Sequence, residues 1–526
     1  MPSTPIKDEH RGEAVRFRST PKDRTPEREG IRPRIPQRSS GTALSDGKLP
    51  TGRVDRTIRL ARLAGRTVAT RAQSRLRSHA GGDAAQAAEL ARQERLAERY
   101  AEVLGDMKGA FMKVGQVLSF VDLDGVVPGP YRDLFRGTLA RLQHEVPPLA
   151  SEEIAEVIRA ELGARPEEIF AFFSPKPVAA ASIGQVHMAR LADGTELAVK
   201  VQYPGVSEAV RADLANTKLL ASVIRAGLAL LGPQAPRLDT TVMVEEIRDR
   251  VTDELDYRIE AANQQEFCAI YDEHPFIHIP AVYPEFSTSR VLVTDYVHGV
   301  HWSEATAAGD DAIRSRWGET IFRFVFTSLH QYGLFNADPH PGNYLFHEDG
   351  TVTFLDFGCV KRFAQDRVEV MSSVVDAALA GNALGVLDAF IDVGLLSGAD
   401  AEGVDPDRLL DYYRAALRDR WDVQPFTYTP ESVAGIVSGM YQPLGPYDDI
   451  TRQLQMPKDL LFLNRITVGV SSVLAHLYAT SDWKSVDREI RHDGRPTTEL
   501  GRLEASWRAD RPRADLPFGL VAAIVA

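Results

Sequence analysis

The sequence predicts an α+β fold of two lobes, a small antiparallel-sheet lobe followed by a larger helical one. Three observations predict it. Small and apolar residues from Pro177 to Val201 read as strands, with Asp193-Gly194 as a hairpin turn. Asp338 and Asn343 then bracket a loop of Pro, His and Gly, and a short apolar strand delivers Asp356-Phe357-Gly358. Beyond that point the pattern is helical, beginning with the run from Arg367 to Leu396.

Composition agrees with a soluble enzyme. A chain of 526 residues holds more than one domain, at roughly 100 to 200 residues each. Hydrophobic and charged contents of 44% and 25% are ordinary for a globular protein. A formal net charge of −12 argues against a general nucleic-acid binder, so no nucleic-acid partner is expected. Cys268 and Cys359 are too few for a disulfide framework, and no Cys/His cluster has zinc spacing. The expected setting is reducing and cytoplasmic.

In chain order, residues 1–55 are polar and charged without an apolar core, and are expected to form a disordered tail with no signal peptide. A helical extension is expected over 56–150. Its first part, 56–80, interleaves Arg56, Arg59, Arg62, Arg66, Arg71, Arg75 and Arg77 with Ile58, Leu60, Leu63 and Val68. Such a helix can lie on anionic lipid, at about 1 kcal/mol per basic side chain, which would make the protein peripheral to the inner face of a membrane. It can equally be a solvated helix whose arginines pair with the acidic body, and its thin, Ala-rich apolar face favours this second reading. No stretch, including 460–478 and the apolar 516–526, reaches the roughly 20 apolar residues of a membrane span.

The sheet lobe is expected over 151–299. Within it, Glu196-Leu197-Ala198-Val199-Lys200-Val201 reads as a third strand carrying the Val-Ala-x-Lys pattern, whose lysine grips nucleotide phosphates. That lysine needs an acidic partner on a helix. Glu260 is the chosen partner, in the segment 242–267, where Ile247, Val251, Leu255, Ile259 and Ala262 recur at helical spacing. Arg290 to Gly299 reads as a strand entering the connector between lobes, so the backbone near Asp295 and Val297 is expected to meet an adenine ring.

The helical lobe is expected over 300–482, followed by a C-terminal tail, 483–526. In a kinase catalytic loop a base Asp precedes a metal-binding Asn by five positions, and Asp338 and Asn343 keep that interval. Asp356 of the Asp-Phe-Gly turn joins Asn343 on one or two Mg²⁺, for which oxygen ligands are suited. Asn336 and Ala337 stand where typical protein kinases have His and Arg, and no Ala-Pro-Glu anchor for peptide substrates follows the turn. His340 is expected to stabilise its loop and not to bind metal.

Upstream, Lys113, Gly115 and Gln116 form a Lys-x-Gly-Gln motif. Together with Ala179-Ala180-Ala181-Ser182, Glu254-x-Asp256, the Asp-Pro-His-Pro-Gly-Asn loop and Asp-Phe-Gly, it gives a sequence that resembles the UbiB (AarF-like) family of atypical kinases from about Leu104 to Leu477. The resemblance implies a protein-kinase-like fold using ATP or ADP with Mg²⁺. It implies that an alanine loop, Ala179 to Ser182, replaces the usual glycine-rich nucleotide cradle; methyl groups restrict the positive φ and close amide approach that glycine permits. It implies that Lys113, Gly115 and Gln116 pack over the cleft against Glu254 and Asp256, gating out peptides and admitting a small-molecule or lipid substrate, and it points to isoprenoid-quinone metabolism. A nucleotide-binding switch with little turnover remains open. So does a small-molecule phosphotransferase of the antibiotic or choline type, although the Lys-x-Gly-Gln and alanine signatures argue against that one.

Overall fold

The computed structural model describes residues 149–181, 183–214, 245, 248, 251–441, 446–455, 457–509 and 511, all in the unit Thr51–Ala526. The expected tail 1–55, the helix 56–80, the motif Lys113, Gly115 and Gln116, and Ser182 lie outside the described residues.

The first lobe is a five-stranded antiparallel sheet made of β1 (Phe172–Phe173), β2 (Ala179–Ala181), β3 (Gly184–Arg190), β4 (Glu196–Gln202) and β6 (Val291–Asp295), in the order β1-β3-β4-β6 with β2 also on β3. Gly194, at φ +94°, turns the chain between β3 and β4, and the Asp193 carboxylate accepts from the Thr195 amide at 2.9 Å. In β4 the two-residue period puts Leu197, Val199 and Val201 on one face. They pack with Val291 and Val293 of β6 against Ile154, Val157 and Ile158 of helix α1 (Ser151–Leu162). Lys200 therefore leaves the opposite face. At Gly184 a Cβ would stand 2.2 Å from the Val201 carbonyl oxygen, so only glycine allows β3 this close to β4.

The alanines depart from the expectation of a loop. Ala179, Ala180 and Ala181 are a strand in register with Val186, Gln185 and Gly184, leaving residues 182 and 183 between paired positions. Extended backbone suits alanine, and pairing with β3 fixes it as a strand. The segment expected as one helix over 242–267 is interrupted at Glu254 to Asp256. Asp256 accepts from the Arg258 amide at 3.1 Å and caps a new helix, α2 (Tyr257–Ile270).

The second lobe is built on α3 (Asp311–Tyr332), whose buried Trp317, Ile321, Phe322, Phe324 and Val325 enter one large apolar core. Two small sheets lie on it: β5 (Ile277–His278) with β8 (Tyr344–Phe346) and β9 (Val352–Phe354), and β7 (Leu334–Asn336) with β10 (Val360–Arg362). The helical run expected over 367–396 is two helices, α4 (Gln365–Ala380) and α5 (Ala383–Asp392), separated by Gly381 at φ +74° and the Asn382 cap. Helix α6 (Lys458–His476) follows, and no helix among the described residues is long and apolar enough to cross a membrane.

Residues 483–509 correct the expectation of a tail. They form α7 (Trp483–His492) and α8 (Glu499–Ala509), with Trp483 fully buried. Ion pairing holds them. Arg323 on α3, itself fully buried, meets Glu319 at 2.8 Å, Glu489 at 2.9 Å and Glu504 at 2.8 Å. Hydroxyls complete the cluster: Thr498 and Ser481 donate to Glu319, and Arg508 adds a second cation on Glu504. In sequence these acids look like ordinary helix surface, because their common partner is more than 160 positions away for two of the three.

Candidate functional site

The two loops carrying Asp338 and Asp356 are brought together by short ladders. β7 pairs with β10, placing Asn336 opposite Val360, and β8 pairs with β9, placing Tyr344 opposite Phe354. The loop 337–343 and the turn 355–359 are thus each clamped at both ends. Bonds between them tighten the clamp: Ala337 N donates to Cys359 O at 2.6 Å, and Leu355 N donates to Asn343 O at 2.9 Å. Beneath, Phe354 stacks on Phe324 of α3, and Phe357 packs on Phe267 of α2 with ring centroids 4.9 Å apart. Burying the Phe357 ring fixes the orientation of Asp356 beside it.

Above these loops, Lys200 Nζ donates to Glu260 Oε1 and Oε2 at 2.6 and 2.9 Å and to Asp356 Oδ2 at 3.4 Å. Its ammonium also sits 5.1 Å from the centroid of the Tyr257 ring. Burial opposes the charge on Lys200, but Asp356 and Glu260 outweigh it and hold the ammonium well above its ordinary value. Burial pushes the Glu260 carboxyl up to about 7 against the pull of Lys200, and Asp356 adds to the rise. One ammonium is therefore shared between two carboxylates. Asp356 Oδ1 accepts from the Gly358 amide at 2.9 Å.

Lys200, Glu254, Tyr257, Glu260, Asp338, Asp356 and Gly358 line an open cavity. Glu254, Glu260, Asp338 and Asp356 thus share this cavity with Lys200. Asp338 Oδ2 accepts from the Asn343 amide at 3.0 Å, whereas Asp338 Oδ1 is buried with no hydrogen-bond partner among the described residues. An orphaned carboxylate oxygen is the atom that an incoming cation or hydroxyl would satisfy. Among the described residues no group of three or more His, Cys, Asp or Glu side chains forms a metal centre of its own. Mg²⁺ in phosphoryl-transfer sites is bound through one or two carboxylates plus phosphates and water. Asp356 and the Asp338–Asn343 pair are the donors available to it.

The structure thus gathers Lys200, Glu260, Asp338, Asn343 and Asp356. Glu254 lines the same cavity, whereas Asp256 is engaged by its cap and by Arg258 at 2.5 Å; their expected partner Lys113 lies outside the described residues. Asp295 and Val297 do not line the cavity. The Asp295 carboxylate is turned to the 281–283 loop, accepting from Ala281 N at 3.0 Å and the Tyr283 hydroxyl at 2.8 Å. Ala179 to Ala181 are also absent from the lining. His340 caps its own turn, accepting from Gly342 N at 3.0 Å.

Sequence reasoning missed three supporting residues. Asn336 joins the two loops, donating to Asp356 O at 2.9 Å and accepting from Asp338 N at 3.2 Å. Asn263 on α2 donates to Phe357 O at 2.9 Å. Gly469 on α6 lies where a Cβ would be 2.6 Å from the Pro339 ring, letting the helix back the catalytic loop. Asn336 had a usable signal, being a buried amide two positions before Asp338; the other two act across sequence distances that no spacing reveals.

The family model of the ABC1 atypical kinase-like domain matches residues 141–390. The chain is 26% identical over 442 residues to the mitochondrial atypical kinase COQ8 of Saccharomyces cerevisiae, covering 83% of this chain and 86% of that protein. It is 32% identical over 303 residues to the chloroplastic protein Activity of BC1 Complex Kinase 1 of Arabidopsis thaliana, covering 57% of this chain and 43% of that one. A solved Mycobacterium tuberculosis protein, in complex with erythromycin, shares 31% identity at a TM-score of 0.55, covering 78% of this chain and 98% of that one. The chain spans less than half the length of the Arabidopsis relative. It belongs to the UbiB family of atypical kinases, with their kinase-like α+β fold.

Proposed function

From this family membership and the cluster at the lobe junction, we propose that the chain binds ATP with Mg²⁺ and transfers or releases its γ-phosphate, acting on a small-molecule or lipid acceptor. The observation that carries the reading is the convergence of Lys200, Glu260 and Asp356 above the paired Asp338 and Asn343. Lys200, held by Glu260, orients phosphate oxygens and offsets charge on the transferring group. Asp356 and Asn343 hold Mg²⁺, which neutralises the phosphates when bound. Asp338 accepts the proton of an incoming hydroxyl or water through the oxygen that is not held by Asn343. A gate formed by Lys113, Gly115 and Gln116 against Glu254 is retained as the reason peptides are disfavoured, and a role in isoprenoid-quinone metabolism follows from the family resemblance. Peripheral association with an anionic membrane through residues 56–80 is part of the same reading.

The test is to incubate the full chain with γ-labelled ATP, Mg²⁺ and vesicles containing anionic or isoprenoid-bearing lipids, with erythromycin as a further acceptor because a relative was solved with it. Labelled lipid or Mg²⁺-dependent phosphate release supports an enzyme. Tight nucleotide binding with neither product replaces the enzyme by a nucleotide-binding switch.

A further inference from the structure

A second buried oxygen at this cavity has no hydrogen-bond partner among the described residues, the Tyr257 hydroxyl. Tyr257 opens α2 directly after the Asp256 cap and stands three residues before Glu260, so both side chains leave the same face of the helix. The ring is 2% exposed and lines the cavity beside Lys200, whose ammonium it supports. A phenylalanine would serve equally well as that support. Burying an unpaired hydroxyl costs about 1–3 kcal/mol, so the oxygen calls for a partner that arrives from outside the described chain.

The surroundings define that partner. Burial, reinforced by the nearby Glu260, Asp356 and Glu254 and opposed by Lys200, holds the phenol well above its ordinary value, so at neutral pH it is protonated and can donate. Lys200 beside it is a cation, which draws an anion to the same spot. Asp338, on the same cavity, has an oxygen awaiting a cation or a proton. A phosphate group with its metal supplies an acceptor to the one and a cation to the other.

We propose that Tyr257 is a ligand-contact residue whose hydroxyl donates a hydrogen bond to a phosphate oxygen of the nucleotide gripped by Lys200. The inference rests on the nucleotide reading above and adds to it a neutral donor carried on the same helix as Glu260. Because Tyr257 and Glu260 travel together with α2, the helix delivers the lysine's partner and the phosphate donor as one unit.

The experiment is titration calorimetry of the full chain and of Tyr257→Phe with MgATP and, separately, with adenosine. The substitution keeps the ring and its contact with Lys200 and removes the unpaired hydroxyl, so the unliganded melting temperature is expected to stay the same or rise. MgATP affinity is expected to fall about tenfold, the worth of a hydrogen bond to a charged acceptor, while adenosine affinity stays the same. Equal MgATP affinity in the two proteins overturns the contact, as does an equal weakening of adenosine, which marks a merely structural role. Wild-type protein that takes up adenosine but shows no MgATP binding overturns the nucleotide reading itself, and the Tyr257 contact with it.

Discussion

The Lys200 cluster and the Arg323 cluster are both buried ion groups built around one long basic side chain, yet they are completed differently. Around Arg323 every carboxylate has strong donors: Glu319 takes two hydroxyls in addition to the guanidinium, and Glu504 takes both Arg323 and Arg508. Burial opposes ionisation of Glu504, but His274, Arg508 and Arg323 outweigh it and hold the carboxyl well below its ordinary value. At Lys200 the balance runs the other way. Glu260 is pushed up to about 7, and Asp338 Oδ1 and the Tyr257 hydroxyl lack partners among the described residues. A cluster whose carboxylates are hydrogen-bonded within the chain holds helices together. A cluster with orphaned polar atoms beside an open cavity is arranged for something that binds.

The contrast is open to breakage by removing each basic residue. Arg323→Met removes the guanidinium shared by three buried carboxylates and is expected to cost about 3–5 kcal/mol in urea denaturation. Lys200→Met is expected to cost much less, since Glu260 already titrates near neutrality and takes up a proton when the ammonium is gone. Comparable losses from the two substitutions would erase the distinction.

A finer test uses pH. The folded-state carboxyl of Glu260 is raised from 4.5 to about 7, so the folded protein binds that proton more tightly than the unfolded chain. Its effect is a decline in stability as pH rises from about 4.5 to about 7. Glu504, being depressed, contributes stability above its ordinary value and loses it only as pH falls below. Melting temperatures of wild type and Glu260→Gln between pH 5 and 8 should therefore differ in slope, with the flatter profile in the variant. Parallel profiles would show that Glu260 does not titrate in this window.

Much of the site was legible because its chemistry is local. Asp338 and Asn343 share one loop, and Asp356 lies on the turn that follows the next two strands, so spacing alone indicated a common task. Lys200 was readable from strand alternation, and Glu260 from its helix. What escaped was set by tertiary pairing. The alanines looked like a loop because small residues carry little strand signal, and only pairing with β3 fixed them. Asp256 looked like a gating acid because its capping role depends on where the helix restarts. Residues 483–509 looked like a tail because Glu489 and Glu504 are polar in sequence and buried only through Arg323.

The central claim is that the acids around Lys200 are completed by a metal-bound nucleotide. Calorimetric titration of MgATP into the full chain and into Asp356→Asn, with thermal melts as a control for folding, tests it most directly. The account predicts magnesium-dependent binding in the wild type, and its loss in an equally folded variant. Equal binding by both proteins, or wild-type binding indifferent to magnesium, would contradict it.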